Sequence, residues 1–378
     1  MLPLLFTVSL LAQYAPTRCQ TTTDTVMGEV TVKILLACSD GFADDVLWHL
    51  DRIDQIPSAL DGRAYRGFGG RGSVIYILDT GVLATHDEFM TATGSRVIAG
   101  YDALPSDRFG CKTPDRALQP CASSPPELSI ISHGTATASV AAGNSVGVAP
   151  EASIVSVRTV AGSPIGMQNL SDGLDAVIRH AFDPIAPQFR TGIVSISFAI
   201  NEPGSSAAVE EKIRRMVSGV DRDGNPDPNG KRFFFSIAAG NSNQPDWCPN
   251  GPTVLFPSTL GPKVRGVMTV GGSSKDNNIW IHSCRGEEIF APAEDLLVAT
   301  SSGHNHYRAG NQLPTSGTSW SAPIVAGIAA RLLEMDPTLT PEALEDRIEQ
   351  SASRLATGEV EAVFTAPPGS PRRRAARH

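Results

Sequence analysis

"SVIYILDTGV", residues 73–82, begins as an apolar run and ends in an acid, a hydroxyl and a glycine. From Ser73 to Leu78 the side chains do not alternate between apolar and polar, so a strand built from them must be covered on both faces. Parallel sheets have that habit. Four further runs share the character: "ASIVSV" (Ala152 to Val157), "GIVSIS" (Gly192 to Ser197), "RFFFSIAA" (Arg232 to Ala239) and "GVMTVGG" (Gly266 to Gly272). Helix candidates lie between them, among them "SDGLDAVIRHAF" (Ser171 to Phe182) and "SSAAVEEKIRRMVSGV" (Ser205 to Val220). The alternation predicts one doubly wound α/β domain with a mostly parallel central sheet flanked by helices.

Composition agrees with a globular fold. The chain has 378 residues, 41% hydrophobic and 19% charged, enough for one large core. Its net charge is -8, and the one dense basic run is the end, "PRRRAARH" from Pro371 to His378. Nothing reads as a basic face for nucleic acid, and the Pro- and Arg-rich end reads as a disordered tail. The start, "MLPLLFTVSLLA", has the length of a signal-peptide apolar region and is too short to span a bilayer. Six cysteines fit export. Cys111 and Cys121 flank a Pro-rich loop, Cys248 and Cys284 are candidates for a second pair, and Cys19 and Cys38 lie in or near the leader; six free thiols is the other reading, because connectivity is not legible.

Three positions carry polar residues that packing does not require. Asp79 ends the first apolar run, where open α/β sheets place their ligands, although a turn aspartate would look the same. His133, in "SHGTATASVAAG", precedes a helix of small residues able to pack closely on a sheet. Ser319, in "SGTSWSAPIVAGIAA", precedes a helix that is apolar on every side and therefore buried. Pro323 is tolerated in a helix's first turn, which places the helix start near Ser319 and its hydroxyl among free backbone N–H groups; an N-cap serine is the plain alternative.

Taken together, Asp79, His133 and Ser319 stand in the chain order of one known protease group. With "DTGV", "HGT" followed by "GVAP", "AAGN" ending at Asn241 and "GTSWSAP", the sequence resembles the subtilisin-like serine proteases, the subtilases, from Leu47 to Arg354. "LWHLDRID" and "YILDTGVLATHDEF" resemble the start of the mature domain in the proteinase K-like branch.

The resemblance implies a division into a signal peptide at 1–20, a short leader or prodomain remnant at 21–46, a catalytic domain at 47–355 and a tail at 356–378. It implies a secreted endopeptidase in which Ser319 attacks a peptide carbonyl, His133 is the general base and Asp79 supports the imidazole. Asn241 and the Ser319 backbone N–H would bind the oxyanion. Substrate would lie extended along Ser197, Phe198, Ala199 and Gly240, as peptides add to a sheet edge. Phe198 and Ala199 replace the family's usual Leu and Gly, and a side chain at Ala199 would narrow the first specificity pocket. The partners implied are proteins or peptides, with no nucleic acid and no stable membrane association; the oligomeric state is unknown. The chemistry needs no cofactor, and a structural calcium is compatible with the family, without assigned ligands. "DRDGNPDPNG" spaces Asp221, Asp223, Asn225 and Asp227 like half of a calcium loop but lacks the twelfth-position glutamate, and such residues make turns unaided. His304 and His306 form an H-x-H pair without a third ligand nearby. The alternative function is an inactive subtilase fold that binds peptides or proteins, its cleft shaped by the loop at Cys111 to Cys121.

Overall fold

The computed structural model describes residues 19–26, 30–38, 47–54, 60–61, 64, 67–104, 133–160, 165–200, 206–242, 248, 254–285, 289–308 and 316–365. The start of the expected signal peptide, the Cys111 to Cys121 loop and the basic end lie outside the described residues.

The apolar runs form the centre of a nine-stranded sheet. From edge to edge its strands are Ser353–Arg354, Val360–Glu361, Ile289–Pro292, Val267–Ser273, Arg232–Ala238, Thr191–Ile196, Val74–Asp79, Ser153–Arg158 and Val97–Asp102. Every neighbouring pair is parallel except Ser353–Arg354 with Val360–Glu361. All six residues of Val74–Asp79 are buried, and they divide by strand period. Ile75 and Ile77 face one core, with the helices His133–Ala142 and Thr318–Met335. Val74, Tyr76 and Leu78 face the other, under Met167–Ala181 and Ala207–Ser218. The α/β architecture is the one the sequence pattern predicts.

The helix Thr318–Met335 is buried from Thr318 to Leu333 apart from Ser319. It crosses the histidine helix at Gly327, where a Cβ would stand 2.6 Å from Val148 Cβ and 2.8 Å from the Ala141 carbonyl oxygen. Only glycine permits that approach. A second glycine does the same at the other end of the histidine helix, where a Cβ on Gly134 would come within 2.4 Å of the Gly81 carbonyl oxygen.

Element ends differ from expectation in three places. Pro323 is the sixth residue of its helix, in the second turn rather than the first. The folded unit continues past residue 355: Val360–Glu361 joins the sheet, Ala362, Val363 and Phe364 are fully buried, and the Phe364 N–H donates to the Ile53 carbonyl at 2.6 Å. A boundary at 355 falls short because two-residue strands carry no periodic signal. The expected leader is also not detached. Cys19–Val26 and Val30–Cys38 form an antiparallel hairpin, with Cys19 opposite Cys38, and the second strand pairs antiparallel with His306–Arg308. Among the described residues no helix is long and apolar enough to cross a membrane.

Gly327→Ala is expected to force the two central helices apart and destabilise the fold by about 1–3 kcal/mol, the usual cost of overpacking. Thermal unfolding of the variant, with an unchanged Tm as the contrary result, checks this.

Candidate active site

Asp79 is the last residue of the central strand, and its carboxylate is 2% exposed. Its geometry follows from the turn after it. The Thr80 N–H donates back to Asp79 Oδ1 at 2.7 Å, and the Thr80 hydroxyl accepts the Gly134 N–H at 2.9 Å. Gly81, with φ of 100°, lets the chain leave in the left-handed region. The strand end is thereby tied to the first turn of the histidine helix.

His133 opens that helix, and its Nδ1 lies 2.9 Å from both carboxylate oxygens of Asp79. A carboxylate only accepts, so Nδ1 carries the proton and Nε2 is left with a free lone pair. Burial alone would lower the pKa of the ring; the charge of Asp79 and its hydrogen bond outweigh burial and raise it above the ordinary 6.5. The imidazole therefore keeps its second proton above pH 6.5 and becomes a base only as pH rises through the raised value. The pair's contribution to stability has the opposite dependence, complete below 6.5 and lost as pH rises through the raised value.

The ring of His133 sits beside the indole of Trp320, centroids 5.3 Å apart, which places it at the start of the Ser319 helix. The Ser319 hydroxyl was expected to meet His133. It donates instead to the Ser197 carbonyl, at 3.1 Å, so its one proton is not given to the imidazole in this rotamer. Ser197 lies just beyond the strand Thr191–Ile196.

Asn241 follows the strand Arg232–Ala238 and Gly240, whose φ is 106°. Its Oδ1 accepts the Thr318 N–H and the Thr318 hydroxyl, each at 3.0 Å. A backbone N–H can only donate, so the atom facing it must be oxygen, and the amide nitrogen is left to donate elsewhere. The Gly240 N–H donates to Thr318 Oγ1 at 3.1 Å, which closes the arrangement. On its other side this loop is held by the Cys284 N–H on the Gly240 carbonyl, 3.0 Å, and by the disulfide Cys248–Cys284, one of the two pairs suggested for this domain.

The structure thus brings Asp79, His133, Ser319, Asn241, Ser197 and Gly240 to the carboxyl ends of neighbouring strands, where open α/β sheets form clefts. Phe198 is half-buried and packs against the core under Met167–Ala181. Ala199 is half-buried beside it. Thr80 and Thr318 carry positioning roles that their sequence neighbourhood did not single out. Thr80 directly follows Asp79 and Thr318 directly precedes Ser319, and that adjacency is the signal that was available.

The acidic turn at 221–230 is shaped by its own backbone. Asp221 Oδ1 accepts the N–H groups of Asn225 and Asp223, both at 2.9 Å, and these bonds hold its carboxyl below its ordinary pKa. His304 Nδ1 and His306 Nδ1 are engaged with the Thr85 carbonyl and the Ser302 hydroxyl. Among the described residues no group of three or more His, Cys, Asp and Glu is placed to hold a metal ion.

Residues 70–366 match the model of the subtilase family. The chain is 29% identical over 332 residues to alkaline serine exoprotease A of Vibrio alginolyticus, covering 86% of this chain and 50% of that protein. It is 30% identical over 298 residues to an extracellular serine proteinase of a Thermus species, covering 78% of this chain and 58% of that one. The chain therefore spans little more than half the length of these relatives. A crystal structure of a cold adapted subtilisin-like serine proteinase superimposes with a TM-score of 0.61 at 26% identity, covering 85% of this chain and 98% of that chain.

In an NMR titration the His133 ring is expected to show a midpoint above 6.5 in the wild type and a lower one in Asp79→Asn, where the charge is gone. Equal midpoints would remove Asp79 as the cause.

Proposed function

The chain belongs to the subtilase family, and from that premise we propose that it is a secreted serine endopeptidase that hydrolyses peptide bonds through an acyl-enzyme on Ser319. The observation that carries the reading is the pairing of His133 with the buried Asp79, which leaves His133 Nε2 free beside the helix start that bears Ser319.

In this mechanism the Ser319 hydroxyl turns from the Ser197 carbonyl to His133 Nε2 and gives up its proton as the oxygen attacks the substrate carbonyl. The imidazolium formed lies against the Asp79 carboxylate, which stabilises it. Negative charge on the carbonyl oxygen falls to the Asn241 amide, aimed by its bonds to Thr318, and to the Ser319 N–H at the helix N-terminus. His133 then protonates the leaving amine, and water repeats the sequence on the acyl-enzyme. Extended substrate would run beside Ser197, Ala199 and Gly240, pairing through backbone groups. No step needs a cofactor. Secretion is supported by the apolar start, by the Cys248–Cys284 disulfide and by the extracellular location named for the Thermus relative. The placement beside the proteinase K-like branch rests on the motifs around Leu47 and Tyr76.

A fluorophosphonate probe is expected to label the wild-type chain and not Ser319→Ala, with casein cleaved only by the former. A folded wild type that neither labels nor cleaves would favour a peptide-binding subtilase fold. Asn241→Ala is expected to lower kcat by about a hundredfold to a thousandfold, the cost of one oxyanion donor. Its fluorophosphonate labelling and casein assays, side by side with wild type, measure this. The acid limb of kcat/KM is expected above pH 6.5, because activity falls as His133 takes up its second proton.

A further inference from the structure

In an α-helix the carbonyl of each residue accepts the N–H four positions on. For Ser319 that residue is Pro323, which has no N–H and whose ring crowds the carbonyl four residues back. The carbonyl of the nucleophile is therefore the one in this stretch that the helix cannot satisfy. The structure supplies an outside donor: the Ser197 hydroxyl, 6% exposed, bonds the Ser319 carbonyl at 2.9 Å.

Two other serines on the sheet donate to the same helix, and they differ in kind. The Ser236 hydroxyl bonds the Ala322 carbonyl at 2.7 Å, and the Ser73 hydroxyl bonds the Ala330 carbonyl at 3.0 Å. In helical register those carbonyls also face the N–H groups of Ala326 and Glu334. Among the described residues, only at Ser319 does such a hydroxyl stand in for a missing helix bond. The contact is reciprocal, since the Ser319 hydroxyl donates to the Ser197 carbonyl.

We propose that Ser197 is a positioning residue for Ser319, its hydroxyl replacing the helix hydrogen bond that Pro323 removes and so fixing the backbone that aims the nucleophile. This rests on the assignment of Ser319 as nucleophile. A held Ser319 carbonyl sets the rotation about the Cα–C bond of that residue, and with it the direction of Cβ and Oγ. Without the donor the Ser319 carbonyl loses its partner, and the first turns of the helix can shift to find one. The tolerance of nucleophilic attack to such shifts is small. Substrate pairing would use the backbone carbonyl of Ser197, which an alanine keeps, so loss of the hydroxyl should act on kcat and spare KM.

The experiment uses the full chain, a chromogenic peptide substrate and four variants, with Tm measured for each. Ser197→Ala is expected to lower kcat about tenfold, the equivalent of one hydrogen bond, with KM changed less than about twofold. Ser197→Thr, which keeps a hydroxyl, should recover most of the rate. Pro323→Ala restores an N–H opposite the Ser319 carbonyl, so adding Ser197→Ala to it should cost less than about threefold. Ser236→Ala should lower Tm and leave kcat unchanged. Should Ser197→Ala fail to fold, Ser197→Cys keeps the volume with a weaker donor and should show a smaller deficit of the same kind, again relieved by Pro323→Ala. An unchanged kcat in Ser197→Ala, or a tenfold loss that persists in the Pro323→Ala background, would overturn the inference and leave the proposed function standing. A wild type that is folded yet inert would sink both.

Discussion

The close approach of two helices at Gly327 is the constraint on which the rest of the site depends. The Thr318–Met335 helix is enclosed on nearly all sides, and at Gly327 it lies in backbone contact with the end of the His133–Ala142 helix. One helix carries the histidine and the other the serine, so this crossing sets how far apart their first residues stand. The contact of Gly134 with the Gly81 carbonyl then sets the distance from the histidine helix to the strand end that bears Asp79. Two missing Cβ atoms thus fix three functional side chains, through backbone surfaces that cannot rearrange as side chains do.

Around that frame the polar groups are ordered by a chain of forced choices. Asp79 is buried and accepts, so the histidine must present Nδ1–H to it and keep Nε2 open. Thr318 offers a backbone N–H, so Asn241 must present oxygen to it and keep its amide hydrogens for another acceptor. Pro323 offers nothing to the Ser319 carbonyl, and Ser197 takes that place. In each case a group with a single hydrogen-bonding role dictates the orientation of one with two. In the proposed mechanism such preorganisation would let the site meet developing charge without reorienting its dipoles.

Much of this was legible in the chain. The five apolar runs became the central strands within a residue or two, because strands covered on both faces leave an unmistakable continuous pattern. Asp79, His133 and Ser319 were found because each ends or begins a regular element beside small residues, and Asn241 through the resemblance of "AAGN" to the subtilases. The Val30–Cys38 pairing with His306–Arg308 and the docking of Val360–Glu361 were not found, since pairing between distant segments leaves no trace in either segment alone. That Phe198, read as a cleft residue from its neighbours in sequence, also packs against the core was not found either.

By itself the sequence determined the α/β class, the order of strands and helices, and which acid, base and hydroxyl stand at their ends. The first two are consequences of local periodicity, and the third of motifs whose joint order resembles that of the subtilases. Only the tertiary structure decided that the Ser319 hydroxyl rests on the Ser197 carbonyl, that Pro323 sits in the second turn with its lost bond supplied from 122 residues earlier, and that Thr318 aims the Asn241 amide. The physical reason is that a hydrogen bond between remote segments depends on where the whole core places their backbones, and no window of sequence contains that information.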